Sequence, residues 1–113
     1  MTITPDKLNG VSILRLEGDL THDCDLVSAV TPLMDEKGTR IVLDLSAVEM
    51  INSAGLGKLV HLTAEINSRG GCLFLANPSP FVSGVFEVTQ LNRFLKIHPT
   101  LDAAIEAMEE NGE

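Results

Sequence analysis

The sequence predicts an α/β protein, a small mixed β-sheet of about four or five strands packed with about four helices. Three segments carry that prediction. Ile41-Val42-Leu43-Asp44-Leu45 is a short, apolar, β-branched run of the kind that forms a buried strand. Leu56, Leu59, Val60, Thr63 and Ile66 then recur at helical spacing along one face. Cys72-Leu73-Phe74-Leu75-Ala76 is apolar without alternation, as a parallel strand covered on both faces must be. Strand, helix and strand from 41 to 76 make a βαβ unit, whose crossover is expected to be right-handed.

The remaining elements follow in chain order. Two strands open the chain, joined at Leu8-Asn9-Gly10-Val11, where Asn-Gly favours a type I′ hairpin. Pro5 places the first strand at an edge, where its missing N–H does no harm. The second strand is read from Val11 to Leu16, and Gly18-Asp19-Leu20-Thr21-His22-Asp23-Cys24-Asp25 as a polar turn. A helix follows with Leu26, Ala29, Val30, Leu33 and Met34 inward; Pro32 is expected to kink or break it, and Lys37-Gly38-Thr39 to end it. After the strand at 41–45 come a helix over 53–68, stopped by Arg69-Gly70-Gly71, and the strand at 72–76. A helix over roughly 79–90, a short strand at 94–97 and a helix over 101–110 complete the chain. Thr100 is the natural cap of the last helix, and Glu106, Glu109 and Glu110 sit at an end that disfavours acids, so that end is expected to fray.

Size and charge narrow the function. At 113 residues the chain is read as one domain over 1–113, large enough for a real core. A net charge of −8 argues against a nucleic-acid binder, whose phosphate contacts need clustered Lys and Arg, and disfavours anionic lipid. No run is long and apolar enough for membrane insertion, and the first residues lack the form of a signal peptide. Cys24 and Cys72, without CxxC spacing, read as free thiols in a reducing compartment, so a cytoplasmic protein is expected. His22-Asp23-Cys24-Asp25 has ligand-type residues, yet neighbours in one turn rarely converge on one ion, and a solvated helix start explains them better.

The junction Ile51-Asn52-Ser53-Ala54-Gly55-Leu56-Gly57 concentrates the chemistry. Ser53 is read there as the N-cap of the 53–68 helix, where a phosphate would meet the positive end of the helix dipole. Gly-Leu-Gly without a further Gly or Lys is neither a dinucleotide fingerprint nor a P-loop; close packing of Gly55 and Gly57 on the sheet accounts for it. A hydrolase elbow would need Gly where Ile51 stands, and His98 is the only late histidine to serve such a serine. Met50, Ile51, Phe81 and Val82 lie at the carboxyl ends of adjacent parallel strands, where α/β sheets place binding surfaces. At least one of Met50 and Ile51 is expected to be exposed, and Val82 to be core.

Gly18-Asp19-Leu20, Leu43-Asp44-Leu45-Ser46-Ala47-Val48 and Asn52-Ser53-Ala54-Gly55-Leu56-Gly57, in this order, resemble the STAS domain of bacterial anti-sigma-factor antagonists over nearly the whole chain. The resemblance implies a non-enzymatic partner switch, with no cofactor and no metal. The unphosphorylated domain would bind an anti-sigma factor that is also a GHKL-type serine kinase, and so free a sigma factor. Phosphorylation at Ser53 would break that complex, and a PP2C-type phosphatase would reset it. It places the partner surface at Asn52, Ser53, Ala54, Gly55, Met50, Ile51, Asp19, Thr21 and Phe81. Asn52 stands where the family has Asp, keeping hydrogen-bonding capacity and dropping a charge beside the acceptor; Ala54 leaves Ser53 as the one hydroxyl of the motif. Slow phosphorylation, accelerated by Asn52→Asp, is the expected consequence. Other roles on the same fold are a stand-alone adaptor subunit of a transporter or signalling complex and a small-molecule or nucleotide binder.

Overall fold

The computed structural model describes residues 1–21, 25–34 and 38–111. His22, Asp23, Cys24 and Lys37, and with them the cluster of ligand-type residues and part of the expected helix stop, lie outside the described residues.

One five-stranded mixed sheet runs in the order β1 (Thr2–Leu8), β2 (Val11–Leu20), β3 (Arg40–Ile51), β4 (Cys72–Ala76), β5 (Lys96–His98). The pair β1·β2 is antiparallel and the other three pairs are parallel. Asn9 and Gly10 turn the opening hairpin with φ of 53° and 81°, both positive as a type I′ turn requires. Pro5 pairs with Leu14 on the edge strand, as its missing N–H dictates.

Helices cover both faces, so β3 is apolar from Ile41 to Leu43 and β4 from Cys72 to Ala76. On one face α1 (Leu26–Met34), α2 (Ser53–Ser68) and α3 (Pro80–Thr89) bury Leu26, Val30, Leu59, Leu62, Ile66, Val82 and Phe86 against Leu14, Leu16, Leu43 and Leu75. On the other, α4 (Leu101–Asn111) lays Ala104, Ile105 and Met108 on Val11, Ile13, Val42 and Phe74. Thr100 Oγ1 accepts from the Ala103 N–H at 3.0 Å and caps α4.

Four elements depart from the sequence reading. First, Pro32 does not break α1, which runs through it to Met34: on an exposed position near the end of the helix the missing N–H removes only one intrahelical bond. Second, Gly18-Asp19-Leu20 is not a turn but the end of β2. Third, β3 continues past Leu45 to Ile51. Two register shifts against β2 explain the missed length: Arg15 pairs with Asp44 but Glu17 with Ala47, and Gly18 pairs with Val48 but Asp19 with Met50. Each shift inserts one extra residue in β3, a β-bulge. The inward residues Ile41, Leu43 and Leu45 are spaced by two, and Val48 and Ile51 by three. Asp44 pins the first bulge: its carboxylate accepts from the Ser46 N–H at 3.0 Å and from Arg15 Nε at 3.3 Å. Fourth, Leu91–Arg93 forms a 3-10 turn and delays β5 to Lys96.

Candidate functional site

The bulges carry β3 well beyond its last pairing with β4, at Asp44↔Ala76, and set its end against the end of β2, with Asp19↔Met50 and Leu20↔Ile51 as the last pairs. From there the chain enters α2. Asn52, not Ser53, is the N-cap. Its backbone is extended (φ −116°, ψ −178°) and its side-chain oxygen accepts from the Gly55 N–H at 2.9 Å. Asn caps as well as Ser does, so two adjacent capping residues left the choice to the geometry of the strand end. The Asn52 N–H donates to the Leu20 carbonyl at 3.3 Å, which ties the start of α2 to β2.

This one-residue shift changes what Ser53 offers. As the first helical residue it is exposed, and its hydroxyl makes no hydrogen bond with a described residue. An anion on that oxygen stands at the positive end of a helix of 16 residues, beside the first free N–H groups. No histidine or carboxylate among the described residues hydrogen-bonds Ser53. His98 is two strands away on β5, packed against Phe74 with ring centroids 4.9 Å apart and the ring planes tilted by 39°, and partial burial lowers its pKa below the ordinary 6.5.

Gly55 is the structural condition for this arrangement. A Cβ there would fall 2.0 Å from the Leu20 carbonyl oxygen, so only glycine lets α2 come this close to β2. Gly57 differs from the expectation: it is exposed, with nothing within 4 Å of an added Cβ, so sheet packing does not explain it. Lys58 Nζ donates to the Thr21 carbonyl at 3.3 Å and closes the site from the other side.

The residues grouped by sequence separate into two sets. Asn52, Ser53, Asp19 and Met50 (43% exposed) face solvent, Ala54 and Thr21 are half-buried, and Phe81 (57% exposed) stands in the first turn of α3, one strand over. Ile51 (5% exposed) and Gly55 are buried, Ile51 in the core, because the second bulge turns Met50 outward and Ile51 inward. These two shape the surface and do not form it. Val82 is core, as expected. Val88 is exposed on α3, and the sequence carries the signal for it: five large apolar residues in ten exceed what one helix face can bury. Among the described residues, no helix is long and apolar enough to cross a membrane.

Comparison with known proteins matches the STAS domain over residues 2–104. An anti-sigma F factor antagonist of Paenibacillus polymyxa is 32% identical over 115 aligned positions, covering 97% of this chain and 94% of that one. A Thermotoga maritima protein named as a candidate anti-sigma factor antagonist is 42% identical over 67 residues. The chain spans 59% of that relative's length and 62% of its Thermotoga neapolitana counterpart's. Among solved structures, an anti-sigma factor antagonist from Mycobacterium paratuberculosis superposes with a TM-score of 0.83 at 25% identity, over 96% of this chain and 93% of that one.

Proposed function

The chain belongs to the STAS domain family, and from that premise we propose that it is a cytoplasmic anti-sigma factor antagonist switched by phosphorylation at Ser53. Unphosphorylated, it binds an anti-sigma factor that is also a GHKL-type serine kinase, and a sigma factor is released. The partner then phosphorylates Ser53 and lets go, and a PP2C-type phosphatase restores the free hydroxyl. The protein is itself no enzyme. Asn52, Ser53, Ala54, Met50, Asp19, Thr21 and Phe81 supply the contact, and Ile51 and Gly55 hold it in position.

The observation that carries this reading is the Ser53 hydroxyl, exposed at the start of α2 and not used in the cap because Asn52 supplies it. Modification there removes no hydrogen bond with a described residue, so the fold has no reason to rearrange. A phosphoserine adds about −1.5 to −2 charges, and the helix N-terminus stabilises them in the free protein. In a complex the same charge lies at the centre of a surface that must shed water, where an anion without a partner costs several kcal/mol. The phosphate thus favours the free state over the bound one.

Incubation with the cognate kinase and ATP, followed by mass-spectrometric mapping, tests the acceptor. Phosphate is expected on Ser53 and none on Ser53→Ala. Undiminished labelling of Ser53→Ala overturns the assignment. Asn52→Asp preserves the cap oxygen and restores an acid beside the acceptor, so it is expected to speed the transfer; an equal or slower rate shows that the acid is dispensable here.

A further inference from the structure

At the hairpin end of the sheet a cavity of about 350 Å³ lies between the first two strands and α1. Two cross-strand pairs, Lys7↔Ser12 and Pro5↔Leu14, form its floor, and Leu33 of α1 forms its wall. Ile3, Leu14 and Leu33 all pack against the core on the α1 side. Pro5 and Lys7 follow Ile3 at intervals of two, and Ser12 precedes Leu14 by two, so their side chains rise from the same face. Counting back from the two-residue turn at Asn9-Gly10, Lys7 and Ser12 form a non-hydrogen-bonded pair, in which side chains stand closest. The Lys7 N–H accordingly points off the edge, where the Asp6 carboxylate accepts it at 2.8 Å.

Both polar groups of the floor lack a partner. Ser12 is 9% exposed, and its hydroxyl makes no hydrogen bond with a described residue. Every fully enclosed side-chain nitrogen or oxygen among the described residues has a partner, so the unpaired Ser12 oxygen must open on the cavity. The Lys7 ammonium makes no ion pair with a described residue. We infer that this cavity binds a small monocarboxylate with an apolar body. Its carboxylate accepts from Ser12 Oγ and Lys7 Nζ, and its hydrocarbon lies on Pro5, Leu14 and Leu33.

The ligand class follows from the donors and the walls. A buried hydroxyl with no partner is costly, and an anion that also meets an ammonium makes the stronger, charge-assisted bond. One ammonium matches one negative charge. A phosphate dianion would need more, in a chain of net charge −8 and with Asp6 at the rim of the cavity. A cation is repelled by Lys7. The volume is at the low end for small-molecule sites, which fits a short chain or a single ring. Ser12 pairs with Ile41 at the start of β3, whereas Ser53 follows the last pair, Leu20↔Ile51. The cavity is therefore at the opposite end of the sheet from Ser53, and the inference stands apart from the antagonist reading.

Titration of the whole chain with sodium octanoate, followed by amide NMR shifts, tests this. Saturable shifts are expected at Lys7, Ser12, Leu14 and Leu33, with octanol binding about fivefold or more weakly because it lacks the charge. Ser12→Ala removes a hydroxyl that holds nothing, so its thermal midpoint should equal or exceed that of the wild type, while octanoate affinity falls by about fivefold or more. Lys7→Met, at an exposed residue, should bind octanoate and octanol alike. Wild-type octanoate affinity in Ser12→Ala overturns the inference, as does octanol binding the wild type as tightly as octanoate. Shifts confined to residues outside the cavity, or none at all, would leave the Ser12 hydroxyl to water and overturn it too.

Discussion

The N-termini of α2 and α3 are built on one frame and offer opposite chemistry. Each follows a strand of the same parallel set, β3 or β4, and each begins with an extended capping residue, Asn52 or Ser79, whose side chain accepts from the N–H three residues on. The next residue is Ser53 in one and Pro80 in the other, so one end presents a hydroxyl and the other lacks even an N–H. The second helical residue is Ala54 or the exposed Phe81. The third is buried in both, but as Gly55 in α2 and Val82 in α3. The fifth is glycine in both, Gly57 and Gly84, each with nothing within 4 Å of an added Cβ. Because cap and fifth residue play matching parts, the difference in chemistry lies in the four positions between them, the fourth being the buried Leu56 in α2 and the half-buried Ser83 in α3. At α2 they pull the helix onto the sheet and leave an exposed hydroxyl. At α3 they set an apolar side chain outside.

Exchanging the third residues should break the comparison most severely. Gly55→Val drives side-chain atoms into the Leu20 backbone, which cannot move without opening the end of β2. A loss of about 3 kcal/mol or more, and a thermal midpoint lower by roughly 10 °C or more, is expected. Val82→Ala, the opposite change at the matching position, should cost about 2 kcal/mol through the cavity it leaves. The caps should differ by less. Asn52 Oδ1 holds the Gly55 N–H at 2.9 Å and Ser79 Oγ holds the Val82 N–H at 3.3 Å. Asn52→Ala should therefore cost about 1 kcal/mol, and Ser79→Ala less, in denaturant melts. Smallest is Gly57→Ala, expected to stabilise by about 0.5–1 kcal/mol because the added methyl meets nothing. Destabilisation there would mean that the two fifth positions are not alike.

Much of this was legible before any coordinates. The βαβ unit from 41 to 76 followed from apolar runs that need no tertiary context, and the Asn9-Gly10 turn and the Thr100 cap followed from local chemistry. The end of β3 was not legible, because alternation is the signal of a strand and two bulges convert a spacing of two into a spacing of three. The cap of α2 was placed one residue late for a different reason: Asn52 and Ser53 are both good caps, and only the Leu20 carbonyl that receives the Asn52 N–H settles which residue is still extended. Exposure along α3 depends on which of its turns β3 and the 3-10 turn cover, which no periodicity within Pro80–Thr89 records.

In the proposed switch, a charge on Ser53 decides between free and bound states while the fold stays as it is. The most direct measurement is the affinity of the cognate anti-sigma factor for two preparations of this chain, one unmodified and one fully phosphorylated on Ser53, with the folded state of both checked by circular dichroism. Several kcal/mol of desolvation and repulsion correspond to a loss of about a hundredfold or more, with matching spectra and with Ser53→Ala binding as the unmodified protein does. Equal affinity of the phosphorylated and unmodified proteins would contradict the claim.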